Sequence, residues 1–270
     1  MKKLLALVAA LLLPCAALAE TRLYAVNVGK ADCLLLFSGE SVYMIDTGTE
    51  DSWSCVEAAL ADFGVDQLTG VFLTHTDDDH AGGAARLAAS GVTVGHWYAP
   101  AYYSGVKLKK HPAVKAAGSM GMEVEWLSAG MTVLLDGGTL TVLGPIVSSE
   151  KENNNSLVLL AETADGSMLL TGDMETPEEE TLIDAGVLRQ VDVLKVANHG
   201  EKDATSETLV NLTRPTVAVI STDSSEEKDT PAGRVLRALK AVDAAIYVTQ
   251  YANRGILVTL EDGVVSVEMR

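Results

Sequence analysis

Cysteine is scarce in this chain, three among 270 residues, and no two of them form a Cys-x-x-Cys pair. That excludes a cysteine zinc site, and it leaves Cys33 and Cys55 either as one disulfide or as unpaired thiols. Long apolar runs are as scarce: the longest, residues 4–13, is too short to cross a bilayer. Positive charge is also in short supply. Twenty Lys and Arg stand against 37 Asp and Glu, a net charge of −17, and a surface of that sign repels phosphate backbones and anionic membranes at long range. Tight nonspecific nucleic-acid binding would need a local basic groove or metal ions. One stretch offers such a groove, with Tyr102, Tyr103, Lys107, Lys109, Lys110, His111 and Lys115, although a run of this kind is more often the wet face of a helix.

The amino terminus supplies what the rest of the chain lacks. Met1-Lys2-Lys3, the apolar run and Ala17-Leu18-Ala19 before Glu20 have the layout of a secretory signal peptide over 1–19, cleaved after Ala19. Pro14 before Cys15 suits lipoprotein cleavage poorly. The expectation is an exported protein with no stable membrane insertion, whose residues 20–270 make a single domain of about 250 residues, ample for a large core. Protein partners are not legible.

Hydrophobic periodicity predicts about a dozen short strands. Residues 22–27, 33–37 and 41–45 come first, then a helix over 51–63 capped by Asp51 or Ser52, a strand over 71–74 and a helix over 84–89. Strands over 93–98, 124–127, 131–135 and 139–143 follow, with a helix near 113–120. Beyond the polar stretch 148–155 come a hairpin of 156–162 with 167–171 and then a strand-helix rhythm to 249. A last hairpin, 255–260 with 264–269, closes the chain. So many strands exceed what one open sheet holds comfortably, which predicts an α/β (α+β) architecture of two facing sheets with helices outside.

The most informative stretch is Thr74-His75-Thr76-Asp77-Asp78-Asp79-His80, followed by Ala81-Gly82-Gly83. It ends an apolar strand with two imidazoles and three carboxylates, which repel one another in any partly enclosed site unless a cation is shared among them. A calcium loop starting at Asp77 lacks its twelfth-position carboxylate, since Ala88 stands there. A solvated acidic turn that caps the following helix is the plainer alternative. Three other strands also end in metal-loving residues: Ile45 to Asp46, Thr171-Gly172-Asp173, and Val196-Ala197-Asn198-His199-Gly200. Strand ends converge on one crevice in α/β proteins, so the recurrence favours a shared site.

These segments resemble the metallo-β-lactamase superfamily, whose His-x-His-x-Asp-His motif appears here with Asp77 in place of the second His. With Asn27-Val28-Gly29-Lys30-Ala31-Asp32, Asn153-Asn154-Asn155-Ser156, Leu170-Thr171-Gly172-Asp173 and Leu194-Lys195-Val196-Ala197-Asn198-His199-Gly200, the set is similar to the hydrolase domain of the ComEC DNA-uptake competence proteins. The resemblance implies a four-layer αββα sandwich of two mixed β-sheets with outer helices, holding one or two divalent metal ions, zinc first and manganese or iron as alternatives. It implies His75 and Asp77 on a first metal, Asp79 and His80 on a second, Asp173 between them and His199 completing the second. Asp79 and Asp173 would carry catalysis by a metal-activated water. Asp46, Asp32, Asn155 and Asn198 would support the ligands, and Lys30, Tyr102 and Tyr103 would meet the substrate. Small phosphodiesters, lactones, β-lactams or single-stranded nucleic acid are the implied substrates.

Two positions depart from the family pattern. Asn198-His199-Gly200-Glu201 stands where His-His-Gly-Ser is usual, and Lys30-Ala31 where Gln-Gly is usual. Both changes alter charge beside the inferred metals. A binding module that keeps the fold without catalysis is therefore a rival expectation.

Overall fold

The computed structural model describes residues 20–270, so the inferred signal peptide lies outside the described residues. Two sheets dominate. The first has eight strands, in spatial order Val264–Met269, Gly255–Glu261, Thr21–Val26, Leu34–Ser38, Ser41–Ile45, Gly70–Phe72, Trp97–Pro100 and Val124–Leu127. The second has seven: Ala245–Val248, Val217–Ile220, Val193–Lys195, Gly166–Leu170, Val158–Thr163, Gly138–Gly144 and Thr132–Leu135. Both are mixed. Hairpins build the antiparallel part of each sheet, and strand-helix units build the parallel part.

Strand alternation decides what each face buries. Leu23, Ala25, Ile45 and Phe72 face Leu140, Val142, Leu159 and Leu170 in a core between the sheets. Their neighbours Tyr24, Val26, Met44 and Val71 point the other way, onto Val56, Leu60, Leu87 and Ala116 of the outer helices Trp53–Asp62, Ala84–Ala89 and Pro112–Ser119. On the far side Leu169, Leu194 and Ala218 pack on Leu182, Leu209 and Leu239 of Thr176–Asp184, Glu207–Thr213 and Gly233–Ala241. The result is the four-layer αββα sandwich. Among the described residues no helix is long and apolar enough to cross a membrane.

Two local expectations differ, and one alternative is settled. The strand expected over 93–98 is two, Thr93–Val94 and Trp97–Pro100, because the chain turns at Gly95 and the first piece pairs with Gln67–Leu68 in a separate small sheet. A side chain at Gly95 would stand 2.7 Å from the Thr69 carbonyl oxygen. Ser52 sits at the start of its helix without capping it, its hydroxyl held by the backbone of Thr49 at 3.0 and 3.1 Å. Of the two states open to Cys33 and Cys55, the structure has the unpaired thiols, Cys33 buried and Cys55 exposed.

Candidate metal centre

Four strand ends meet at one edge of the sandwich. Asp46 follows Ser41–Ile45 in a left-handed conformation, φ 60°, which turns its carboxylate toward the next strand. There it accepts hydrogen bonds from the Thr74 amide (2.7 Å), the Thr74 hydroxyl (2.8 Å) and His80 Nδ1 (2.7 Å). The short helix Asp78–Ala81 then presents Asp79 and His80. Gly83 is required beyond it, since a Cβ there would lie 2.3 Å from the Thr47 carbonyl oxygen.

The second sheet contributes the other half. Asp173 follows Gly166–Leu170 through Gly172, which has φ 49° and where a Cβ would stand only 3.0 Å from those of Ser156 and Thr74. His199 lies in the turn Asn198–Gly200 after Val193–Lys195, and Nδ1 donates to the Ser221 carbonyl at 2.8 Å. Asn198 and His199, at φ 46° and 53°, join Asp46 among the few non-glycine residues with positive φ. Backbone strain of this kind costs on the order of 1–3 kcal/mol per residue and persists where surrounding structure enforces it.

The side chains converge tightly. One ligand atom each from Asp79, His80, Asp173 and His199 lie within 4.8 Å of one another. His80 Nε2 is 3.1 Å from Asp173 and 3.3 Å from His199 Nε2, and His199 Nε2 is 3.3 Å from both Asp79 and Asp173.

Hydrogen-bond partners fix the tautomers. Carboxylate and carbonyl oxygens only accept, so His80 and His199 carry protons on Nδ1. The Thr74 hydroxyl proton goes to Asp46, so His75 Nδ1 donates to the Thr74 oxygen at 3.1 Å. His80 and His199 therefore turn their Nε2 lone pairs into the cluster, and His75 leaves its own on the side of Asp77. His75 Nε2 and Asp173 Oδ1 are buried without a hydrogen-bond partner. Acceptors facing acceptors in a buried pocket are costly unless a cation lies between them, so this donor set fits a divalent metal.

Electrostatics give the same answer by another route. Burial works to lower the His80 and His199 pKa values, but Asp173 above all outweighs it, lifting His199 to about 9 and His80 well above the usual imidazole range. Burial would raise Asp79 and Asp173, yet His199 and His80 hold Asp79 down to about 2 and Asp173 well below the usual carboxylate range. The pocket is built to hold positive charge, as protons or as metal.

Other expected residues take different places. His75 lies beside the cluster, its ring 4.2 Å from that of His80, with Nε2 3.7 Å from the half-exposed Asp77. Neither belongs to the four-residue cluster. Asp32 lies beneath it, its carboxylate 2.7 Å from Lys195 Nζ and 4.0 Å from His199 Nδ1. Asn155 holds its own loop, through the backbone of Ser149 and the Glu152 carboxylate. Asn198 is anchored by its amide to the Gly172 carbonyl at 3.1 Å. Lys30 Nζ is 2.9 Å from Glu201. Tyr103 stacks on Trp126 and meets His111 edge-on, whereas Tyr102 is exposed. Lys107, Lys109, Lys110 and Lys115 are exposed while His111 is buried.

Sequence reading missed Lys195, a cation in an otherwise apolar strand, and Glu152. Glu152 accepts from the amide and hydroxyl of Thr76 and from Ser104, tying the Tyr102–Tyr103 loop to the motif loop. The charged interruption at Lys195 was visible in the sequence. The reach of Glu152 was not.

The description "Metallo-beta-lactamase superfamily" matches residues 26–224. ComE operon protein 3 of Bacillus subtilis (strain 168) is 29% identical over 239 residues, 78% of this chain and 30% of that protein. Recombination protein 2 of Haemophilus influenzae is 32% identical over 203 residues, 72% of this chain and 23% of that protein. The chain thus spans less than a third of the length of these relatives. The metallo-beta-lactamase fold protein YhfI from Bacillus subtilis superposes with a TM-score of 0.59 at 12% identity, covering 89% of this chain and 99% of that one. A diphosphatase from the PhnP family does so at 0.51 and 11% identity, covering 93% and 98%. These two likenesses show the fold. With residues 26–224 matched, the sandwich in place and a His/Asp cluster at its edge, the chain belongs to the metallo-beta-lactamase superfamily.

Proposed function

We propose that this chain is an exported, metal-dependent phosphodiesterase of the ComEC-like type. The observation that carries the reading is the convergence of Asp79, His80, Asp173 and His199, with both imidazoles held so that Nε2 faces inward. Similarity to competence proteins supports the ComEC-like assignment, and export rests on the sequence of residues 1–19 alone. Asp79, His80, Asp173 and His199 would hold one divalent ion, zinc first and manganese or iron as alternatives. His75 with Asp77 would offer a looser place for another.

Bound there, a divalent ion supplies Lewis acidity and makes water a competent nucleophile near neutral pH. The residues do the rest. Asp46 fixes the tautomer of His80 directly and that of His75 through Thr74, and the Ser221 carbonyl fixes His199. Asp79, at the more open side of the cluster, is the carboxylate placed to take a proton from an attacking water. Asp173, buried between the two imidazoles, keeps the donor set in register.

Metal-loaded protein incubated with single-stranded DNA and with a chromogenic phosphodiester tests the reading. Turnover exceeding that of an Asp173→Asn control is expected, and its absence on both substrates would defeat the claim. A small-molecule substrate is favoured over a polymer, because Lys30, a partly exposed cation within the field of Asp79 and Asp173, is already paired with a carboxylate. Export is tested by finding Glu20 at the amino terminus of protein recovered outside the cell.

A further inference from the structure

The two departures from the family pattern meet in space. Lys30 stands where Gln is usual and Glu201 where Ser is usual, about 170 positions apart in the chain. Yet Lys30 Nζ and Glu201 Oε1 are 2.9 Å apart, both side chains partly buried. Glu226 secures the same loop from below, accepting the Lys30 amide at 3.2 Å. Gly29 before it has φ 79°, and a Cβ there would run into the Glu226 carboxylate at 2.3 Å. The Lys30 backbone is therefore held, and its ammonium meets Glu201, two residues beyond His199.

The position of that ammonium is informative. Burial works against its charge, but the hydrogen bond and field of Glu201, and beyond them the fields of Asp79 and Asp173, hold its pKa above the ordinary lysine value. Lys30 is thus within Coulombic reach of Asp79, the carboxylate placed to take the proton of the attacking water, and of Asp173 beside it. A cation so placed suits a non-bridging phosphoryl oxygen of a substrate. Glu201 already fills that role with its own carboxylate. On its other side Glu201 borders an open cleft lined also by Lys202, Glu227 and Arg234, into which a displaced carboxylate can turn.

We propose that Glu201 is an internal competitor for Lys30: a latch that the phosphoryl group of a small, singly charged phosphodiester must displace, and that disfavours polyanions. The proposal rests on the phosphodiesterase reading for its substrate class, and on the Lys30–Glu201 contact for its mechanism. A small diester exchanges one carboxylate for one phosphate at the ammonium. A polyanion must in addition bring its flanking phosphates past Glu226 and the exposed Asp77 and Asp78.

The test measures binding of inorganic phosphate by calorimetry, and KM for a chromogenic phosphodiester, with metal-loaded wild type, Glu201→Gln, Glu201→Ser, Lys30→Gln and the Lys30→Gln/Glu201→Ser double variant. Glu201→Gln and Glu201→Ser are expected to bind phosphate about tenfold more tightly than wild type, about the size of one surface charge-assisted contact. The double variant is expected to bind no more tightly than Lys30→Gln. Equal phosphate affinity in wild type and both Glu201 variants overturns the latch. So does a gain that survives in the double variant, because Glu201 would then act by plain repulsion and not through Lys30. Circular dichroism identifies any variant that fails to fold, and Glu201→Gln, which keeps the shape of the side chain, stands in for Glu201→Ser. If phosphate binding follows the expected order while no phosphodiester is turned over, the latch stands and the catalytic reading falls. If phosphodiester is turned over while phosphate affinity is the same in all variants, the reverse holds.

Discussion

Lys195 Nζ lies 2.7 Å from Asp32 Oδ2, and both side chains are buried beneath the four-residue His/Asp cluster. Lys195 also donates to the Val196 carbonyl at 3.0 Å. Asp32 gives its amide to the Asp79 carbonyl (3.0 Å), and its carbonyl accepts from Gly48 (2.7 Å). The pair therefore clamps an interior strand of the second sheet, Val193–Lys195, to the backbone of a cluster residue on the first. Burial would raise the Asp32 pKa, but Lys195, with help from His199 and His80, outweighs it and holds the carboxyl below the usual carboxylate range. Replacing Lys195 with Met leaves a buried carboxylate uncompensated, which typically costs 3–5 kcal/mol. Chemical denaturation should show a loss of about that size, and Lys195→Met with Asp32→Asn should recover part of it. A Lys195→Met variant as stable as wild type would show that the pair carries no such energy.

Asp46 is the next candidate for substitution, because it sets two of the three tautomers while touching no reacting atom. Removing its carboxylate in Asp46→Ala frees His80 Nδ1 and the Thr74 hydroxyl together. Losing a carboxylate partner behind a ligating histidine typically lowers metal affinity about 10–100-fold. Competition against a chromogenic chelator measures this directly. Affinity within twofold of wild type would mean that Thr74 alone orients the rings.

Much of this arrangement could be read from the sequence, and the limits have physical causes. Strand ends at Asp46, His75, Asp173 and His199 were legible because each follows an apolar run that has to stop where burial stops. Tautomer control was partly legible: Asp46 stood out as a carboxylate at a strand end, but the relay through the Thr74 hydroxyl depends on a side-chain rotamer that composition does not encode. Gly95 hid the break in the strand expected over 93–98, because the turn is imposed by close approach to Thr69, a contact between segments. The Lys30–Glu201 pair was invisible for the same reason. Each residue looked like a separate departure until the sheets brought them together.

Metal should stabilise the fold by mass action. A ligand present at 100 times its Kd adds about 2.7 kcal/mol to the native state. Adding zinc, manganese or iron to chelator-treated protein should raise the melting temperature, and elemental analysis should find a divalent ion. Asp173→Asn and His199→Ala should abolish both effects, since each removes a ligand from the four-residue cluster. If none of the three metals shifts the melting temperature of wild type, the cluster is not a metal site and the non-catalytic binding module becomes the better account.

His111 provides a pH test independent of the metal. It caps the helix Pro112–Ser119, with Nδ1 accepting from the Ala113 amide at 3.2 Å, and its ring lies between Tyr103 and Trp126. Burial is the main cause that lowers its pKa to about 4, from an ordinary value of 6.5. Between those values the unfolded chain binds a proton that the folded chain refuses, so stability rises with pH there and is lost as pH falls from 6.5 toward 4. A displacement of this size corresponds to on the order of 3 kcal/mol. Asn at the same position keeps an acceptor for the helix start and does not titrate. Denaturation of wild type and His111→Asn across this range should therefore show the wild type losing about 3 kcal/mol relative to the variant. Parallel curves would mean that the folded protein accommodates the imidazolium, and that the cap is not what holds His111 neutral.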